Sequence, residues 1–263
     1  MKDRNQSAAD FARIGGALAL DYFKRLDSLT IEDKGPQDFV TEADRDVERH
    51  IRAQITKAFP EDGIVGEEDE DKPSQSGFTW VIDPIDGTAN FVAGIPVWTV
   101  VIAVVHQDQT EVGVIFDPIH DEIYQAQRGM GATLNGRTLS CGPELSITRG
   151  AVGVGFSRRT PQEQTIRVVS EIMARGGVFY RVASGAISLA YVSAGRLVGY
   201  IEGHMNAWDC LAGQLLVKEA GGCIEFQSAD EMLVEGGRVI VGSSGVFPDL
   251  EEIAALAYTD ATV

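Results

Sequence analysis

The sequence has few cysteines and histidines, and their arrangement excludes several classes of site. Three cysteines, Cys141, Cys210 and Cys223, form no C-x-x-C pair, so neither a disulfide framework nor a structural zinc site is expected. The four histidines form no H-E-x-x-H pair, which leaves a zinc peptidase unsupported. A G-K-[ST] P-loop and a G-x-S-x-G nucleophile elbow are also missing from the sequence.

Basic residues and long apolar runs are scarce as well. The chain has 22 Lys and Arg against 39 Asp and Glu, a formal net charge of −17, which argues against nucleic acid or an anionic membrane as a partner. The longest apolar stretch, residues 97–105, is far shorter than the roughly 20 residues of a membrane span. Residues 1–6 are too polar to begin a signal peptide. We therefore expect a cytoplasmic protein.

The 263 residues are 44% hydrophobic and 23% charged, which is typical of one or two globular domains. Apolar spacing predicts a first helix over residues 7–27 and a loop over 30–37. Thr41, with Asp44 three residues later, resembles a capping box that begins a second helix, and Phe59-Pro60 ends it. At this point Asp44 is equally well explained as a capping residue alone.

The remaining pattern divides the chain into an α+β half, residues 1–148, and an α/β half, residues 149–263. Asn135-Gly136 predicts a tight hairpin turn. In the first half, strands are predicted at 64–65, 80–82, 97–105, 111–116 and 123–126. In the second half, strands are predicted at 151–156, 178–182, 197–201 and 239–241, and helices at 161–174, 187–194, 207–220 and 249–257.

Three acidic motifs follow or open predicted elements: Gly66-Glu67-Glu68, the block D-P-I-D-G-T-A-N-F at 83–91, and Trp208-Asp209. Gly87 permits unusual backbone angles, and a helix beginning there would direct free N–H groups at an anion such as phosphate. Carboxylates beside an anion site require a cation between them, and oxygen ligands without His or Cys suit Mg²⁺. The alternative is that Asp83 and Asp86 are turn formers, with Asp86 as an N-cap.

These motifs, together with D-F-V-T-E-A-D at 38–44 and W-D-C-L-A-G at 208–213, resemble the inositol monophosphatase family in order and spacing over nearly the whole chain. The resemblance implies an α+β fold with layered αβαβα architecture, a homodimer, and two or three Mg²⁺ ions. It implies that the metal ligands are Glu67, Asp83, the backbone carbonyl of Ile85, Asp86 and Asp209. Asp83 would bridge two ions, and Glu67 would also position a third ion through water.

The resemblance also implies roles around the substrate. Asp44 and Thr88 would orient the attacking water, with Glu67 also counted among the catalytic residues. The Gly87 and Thr88 amides would hold the phosphate. Glu202 would contact a sugar or inositol hydroxyl. The backbone of Ser184, Gly185 and Ala186 would line the substrate pocket. Glu68 would lie behind the metal ligands and support them.

The function implied is hydrolysis of a small phosphate monoester, such as inositol monophosphate or a related polyol or sugar phosphate, by metal-activated water, with inhibition by Li⁺. Fructose 1,6-bisphosphate, histidinol phosphate and 3′-phosphoadenosine 5′-phosphate remain alternative substrates. The Asp86-Gly87-Thr88 portion also resembles haloacid-dehalogenase phosphatases, whose aspartyl-phosphate intermediate would distinguish them. A metal-binding regulatory protein without turnover is the alternative of a different class.

Overall fold

The structure, a computed structural model, describes residues 3–26, 31–35, 38–142 and 145–258 of the chain. The helices are α1 (Arg4–Phe23), α2 (Glu42–Ala58), α3 (Thr88–Val92), α4 (Gln162–Ala174), α5 (Gly185–Ser193), α6 (Ala207–Glu219), α7 (Ala229–Glu235) and α8 (Phe247–Ala257). The first strands are β1 (Ile31–Gly35), β2 (Asp38–Thr41), β3 (Gly63–Gly66), β4 (Phe78–Asp86), β5 (Thr99–His106), β6 (Gln109–Asp117) and β7 (Glu122–Gln127). They are followed by β8 (Gly131–Leu134), β9 (Arg137–Thr138), β10 (Ala151–Val154), β11 (Val178–Tyr180), β12 (Gly199–Met205), β13 (Cys223–Ile224) and β14 (Gly237–Gly242).

In the described part of the chain, two large sheets and three helical layers form the molecule, and β1 and β2 form a separate two-stranded sheet. A seven-stranded sheet runs in the order β3-β4-β5-β6-β7-β8-β9, and a five-stranded sheet in the order β11-β10-β12-β14-β13. Helices α1 and α2 cover one face of the larger sheet, α5 and α6 pack between the sheets, and α4 and α8 cover the smaller sheet. The predicted layered αβαβα fold is confirmed.

Strand β5 shows why its sequence is apolar almost without interruption. Val100, Ile102 and Val104 pack in the core under α1 and α2, whereas Val101 and Ala103 belong to the central core with α5 and α6. Successive side chains of a strand point to opposite faces, so a strand covered on both faces is apolar at every position. The site described below lies at one end of this doubly covered sheet.

Two local predictions from the sequence hold at atomic detail. Thr41 caps α2 in a reciprocal capping box with Asp44. Asn135 and Gly136 both have positive φ, at 50° and 78°, between β8 and β9, as a tight hairpin turn requires. The boundary predicted near residue 148 stays a prediction, although the larger sheet ends at Thr138 and the smaller one begins at Ala151.

Other expectations need correction. Residues 31–35, predicted as loop, form β1, which pairs with β2, while residues 30, 36 and 37 of that loop lie outside the described part. The strand I-E-D-K-G has no apolar alternation to reveal it. Strand β12 continues to Met205 rather than ending at 201, which places Glu202 within a strand. Helix α7 and strand β13 were not predicted. Among the described residues, no helix is long and apolar enough to cross a membrane.

Candidate metal centre and active site

Three aspartates meet where the larger sheet adjoins the middle helices. Asp83 and Asp86 lie at the C-terminal end of β4, and Asp209 lies in the first turn of α6. One carboxylate oxygen from each lies within 4.8 Å of the others. Asp83 is 1% exposed and Asp86 is 7% exposed, so these are not surface charges. The structure therefore brings together three of the four predicted carboxylate ligands.

Asp86 is fixed by the start of helix α5. The Ser184 hydroxyl donates to Oδ2 of Asp86, the Ala186 amide donates to the same oxygen at 2.9 Å, and the Gly185 amide donates to Oδ1 at 3.2 Å. These donors belong to a helix N-terminus, where a negative charge is stabilised. The three residues predicted to line the substrate pocket thus direct their donors at Asp86, a predicted metal ligand, and their contact with substrate stays a prediction.

Local turns orient the other two aspartates. The Ile85 amide donates to Oδ1 of Asp83 at 3.0 Å. Asp209 is the third residue of α6 and accepts the Asn206 amide at 3.0 Å and the Asn206 side-chain amide at 3.2 Å, both at Oδ2. Each carboxylate is thereby held in one orientation before any ligand arrives.

Glu67 follows directly after β3 and is partly exposed to solvent. Removal from water within the cleft raises its pKa, and the charges of Asp209, Glu68 and Asp44 raise it further. Burial, and then the charge of Glu67, likewise raises the pKa of Asp83. The sequence predicted Glu67 as the fourth carboxylate ligand, and the structure places it in electrostatic contact with Asp83 and Asp209.

The donor set fits a hard divalent cation. Burial raises the pKa of Asp209 to about 7, with the charge of Asp86 as the next cause. In the described ranges no ion pair includes Asp83, Asp86 or Asp209, so their mutual repulsion has no Lys or Arg to offset it. Carboxylates that share a site without a Lys or Arg partner are suited to Mg²⁺, because this ion prefers oxygen ligands and would supply the missing positive charge.

A hydroxyl and a carboxylate face each other beside the cluster. The Thr88 hydroxyl lies 3.3 Å from Oδ1 of Asp44 and 3.1 Å from the Ile85 carbonyl oxygen. Asp44 also accepts the Thr41 amide and hydroxyl at Oδ2, at 2.8 and 2.6 Å. Asp44 therefore caps α2 through Oδ2 and contacts Thr88 through Oδ1, so its capping role does not exclude a role in the site. Burial raises its pKa to about 6 despite the hydrogen bonds from Thr41.

Gly87 and Asn90 shape the turn that follows the aspartates. Gly87 has φ of 97°, a left-handed conformation that favours glycine, and it begins the short helix α3 of only five residues. Asn90 donates its side-chain amide to the carbonyls of Val97 and Val182, both at 2.8 Å. The bond to Val182 connects α3 to the segment that precedes Ser184. No role was predicted for Asn90, because one of its two partners, Val182, is 92 residues away.

Glu202 lies in β12 of the smaller sheet. It is 9% exposed and accepts the Tyr200 hydroxyl. Burial raises its pKa to about 7, and the charges of Asp209 and Asp86 contribute, so it lies near the aspartate cluster. The predicted contact of Glu202 with a substrate hydroxyl stays a prediction.

Replacing Ser184 by Ala is expected to weaken Mg²⁺ binding by about 10- to 100-fold, because the hydroxyl orients a ligand carboxylate. Loss of the N-cap to Ile187 should also cost about 1 kcal/mol of stability. Calorimetric titration with Mg²⁺ and thermal denaturation measure the two effects. Ser193 is the matched control, since its buried hydroxyl donates to Ala190 on the same helix, away from Asp86. Unchanged Mg²⁺ affinity in Ser184→Ala would contradict this assignment.

The fold and the site define a layered αβαβα protein with a carboxylate cluster suited to a divalent cation. The sequence profile of the inositol monophosphatase family matches residues 2–259, and the chain belongs to this family.

Relatives of known sequence support the assignment. The chain is 36% identical over 244 residues to "Inositol-1-monophosphatase" of Rhizobium meliloti (strain 1021), covering 92% of this chain and 91% of that protein. It is 37% identical over 238 residues to "Nus factor SuhB" of Escherichia coli (strain K12), covering 89% of each. Relatives at similar distance therefore carry two different names.

Solved structures show the same architecture over almost the full length. The extragenic suppressor protein suhB from Bartonella henselae aligns with a TM-score of 0.88 at 30% identity and covers 98% of both chains. An IMPase from Thermotoga maritima aligns with a TM-score of 0.84 at 28% identity and covers 97% of both.

Proposed function

We propose that this protein is a Mg²⁺-dependent phosphate monoester hydrolase that acts on inositol monophosphate or a related small polyol or sugar phosphate. The observation that carries the proposal is the approach of Asp83, Asp86 and Asp209 to within 4.8 Å of one another, beside the pair of Asp44 and Thr88. Membership of the inositol monophosphatase family supports a phosphatase.

Mg²⁺, when bound, supplies charge neutralisation for the anionic ester and lowers the pKa of water. The chain holds it through Glu67, Asp83, Asp86, Asp209 and the Ile85 carbonyl, in two or three sites. Most of the barrier reduction in phosphoryl transfer comes from positioning and electrostatics, so no protein nucleophile is needed.

The remaining groups orient the reactants. Thr88 and Asp44 hold the attacking water in line with the phosphorus, and Oδ1 of Asp44, the oxygen that faces Thr88, is the acceptor for its proton. A carboxylate whose pKa is raised to about 6 is suited to that task near neutral pH. The amides of Gly87 and Thr88 hold the phosphate. Glu68 lies behind the ligands in this arrangement, and its negative charge contributes to the raised pKa values of Asp44 and Glu67.

The decisive experiment measures phosphate release from inositol phosphates, sugar phosphates, histidinol phosphate and 3′-phosphoadenosine 5′-phosphate, with Mg²⁺ and then with added Li⁺. We expect release from one substrate class, dependence on Mg²⁺, inhibition by Li⁺ and no aspartyl-phosphate during turnover. Absence of turnover on every ester would favour the alternative of a metal-binding regulatory protein without turnover.

Replacing Glu202 by Gln tests which end of the cleft receives the substrate hydroxyls. A hydrogen bond to a charged group contributes about 1.5–3 kcal/mol, so KM for inositol monophosphate should rise about 10- to 100-fold. KM for p-nitrophenyl phosphate, which has no neighbouring hydroxyl, should stay within about twofold by the same reasoning. Steady-state kinetics on both esters provide the measurement. Equal changes for the two esters would exclude a hydroxyl contact by Glu202.

We further propose a cytoplasmic homodimer, because the family resemblance implies one. Strand β11, an edge of the smaller sheet, exposes Val178, Phe179 and Tyr180, which supports burial of this edge in an assembly. Sedimentation equilibrium measures the mass directly, and a monomer at micromolar concentration would remove this part of the proposal.

A further inference from the structure

The chain that carries Glu67 has no regular secondary structure of its own for several residues after β3. It is held instead by one buried carboxylate on α2. Oε2 of Glu48 accepts the Glu68 amide at 2.9 Å, and Oε1 of Glu48 accepts the Asp69 amide at 3.1 Å. Two successive peptide units directly after Glu67 are thus bound to a side chain that is 0% exposed.

Arg52 completes the contact from the same face of α2, four residues after Glu48. Its Nε donates to Oε1 of Glu48 at 2.7 Å, and its Nη2 donates to the Asp69 carbonyl at 2.9 Å. Its Nη1 donates to the Glu70 carbonyl at 3.0 Å. A guanidinium can make these three bonds at once because its donors are fixed in a plane, whereas an ammonium group cannot.

Close packing at Gly66, the residue before Glu67, requires a glycine beside the Glu48–Arg52 pair. A Cβ at Gly66 would overlap the Glu48 carboxyl and lie 2.8 Å from Nη2 of Arg52. Glycine before Glu67 therefore permits the charged pair to lie directly against the main chain. Since Asp44 lies in the first turn of α2, the same helix positions both Asp44 and the segment that carries Glu67.

We propose that Glu48 and Arg52 are positioning residues that fix the main chain around Glu67 so that its carboxylate can bind metal. The proposal rests on the proposed function, in which Glu67 is a metal ligand. Neither residue touches the metal or the substrate. Their effect on metal affinity is transmitted by the hydrogen bonds to the Glu68, Asp69 and Glu70 peptide units.

A second buried ion pair in the same half of the protein provides a matched control. Arg4 donates to Asp62 at 2.8 and 2.9 Å, and Asp62 also accepts Trp80 Nε1 and the Ser76 hydroxyl. The Asp62 side chain is 2% exposed. None of these partners is a site residue, so Asp62→Asn should lower stability without changing metal affinity.

The experiment titrates Mn²⁺ into the full chain and measures free Mn²⁺ by electron paramagnetic resonance, without substrate. We expect Glu48→Gln and Arg52→Lys to weaken the tightest Mn²⁺ site at least about tenfold, as loss of groups that orient ligands does. In activity assays the Mg²⁺ concentration for half-maximal rate should rise by the same factor, while KM for the ester at saturating Mg²⁺ stays within about twofold. Arg52→Lys retains the charge and keeps the test informative if Glu48→Gln does not fold.

Folded variants that bind Mn²⁺ as tightly as the unmodified protein would overturn the proposal. It is also overturned if Asp62→Asn weakens Mn²⁺ binding to the same degree, because the effect would then be general destabilisation. Glu67→Gln separates this failure from failure of the proposed function. If Glu67→Gln weakens Mn²⁺ binding and Glu48→Gln does not, only the positioning role is lost. If the unmodified protein binds no Mn²⁺, both the positioning role and the proposed function are overturned.

Discussion

Replacing Asp83 by Asn is expected to reduce Mg²⁺-dependent phosphate release by at least about a thousandfold. Asp83 is the proposed bridging ligand, and losing several kcal/mol of transition-state charge stabilisation corresponds to a factor of this size. The fold should be retained, because Asn has the same shape and keeps an acceptor for the Ile85 amide. Phosphate release at saturating Mg²⁺, with circular dichroism of the same sample, provides the measurement.

Asp117 supplies the control for this variant. It is 2% exposed and accepts the amides of Ile119 and His120 at a turn away from the cluster. Asp117→Asn should lose stability yet keep its rate per folded molecule. A fully active Asp83→Asn protein would contradict both the ligand assignment and the proposed mechanism.

Local motifs made most of this site predictable. Residues 83–91 lie close together in sequence, so a strand, a turn and a short helix place Asp83, Asp86 and Thr88 in one region without any long-range information. Capping chemistry similarly predicted the start of α2 at Thr41. The layered fold came from the family resemblance, because alternation and periodicity identify elements but not how sheets are stacked.

Contacts between distant segments could not be predicted in the same way. The backbone of Ser184 was predicted to line the substrate pocket, which stays a prediction, and the bond from its hydroxyl to Asp86, 98 residues earlier, was not foreseen. No role was predicted from the sequence for Glu48 or Arg52. The only signal for their role is the spacing of opposite charges by four residues opposite a Gly-Glu-Glu motif, and such pairs are common on helix surfaces.

The acidity of the chain also has two explanations that composition cannot separate. Of its 39 acidic residues, four are the proposed ligands Glu67, Asp83, Asp86 and Asp209. Two Mg²⁺ ions would balance those four charges, so an anionic ester can approach them. Net charge therefore argued against an anionic partner, whereas the burial of particular carboxylates favours one.

The metal-free protein is expected to become more stable as pH falls from about 8 toward 5, opposite to the usual loss of stability in acid. Burial raises the pKa of Asp209 from 3.8 to about 7, and the pKa values of Glu202 and Asp44 rise to about 7 and about 6. Between the unfolded and folded values, the folded protein binds more protons than the unfolded chain. Its stability therefore falls as pH rises through that window, and the loss is complete above the folded pKa values.

Two comparisons isolate the cluster from the other acidic residues. Asp209→Asn removes one buried charge, so at pH 8 without metal its melting temperature should exceed that of the unmodified protein by about 2–4 °C for each kcal/mol of repulsion relieved. Adding Mg²⁺ should raise the melting temperature of the unmodified protein at pH 8 and remove the pH slope, because the ion binds the deprotonated carboxylates. Calorimetric scans at pH 5 and pH 8, with Mg²⁺ or EDTA, measure all of these. A metal-free protein that is most stable at pH 8 would contradict the prediction. It would show that the pKa values of these carboxylates are not raised in the folded protein, and that Mg²⁺ does not stabilise it by reducing their mutual repulsion.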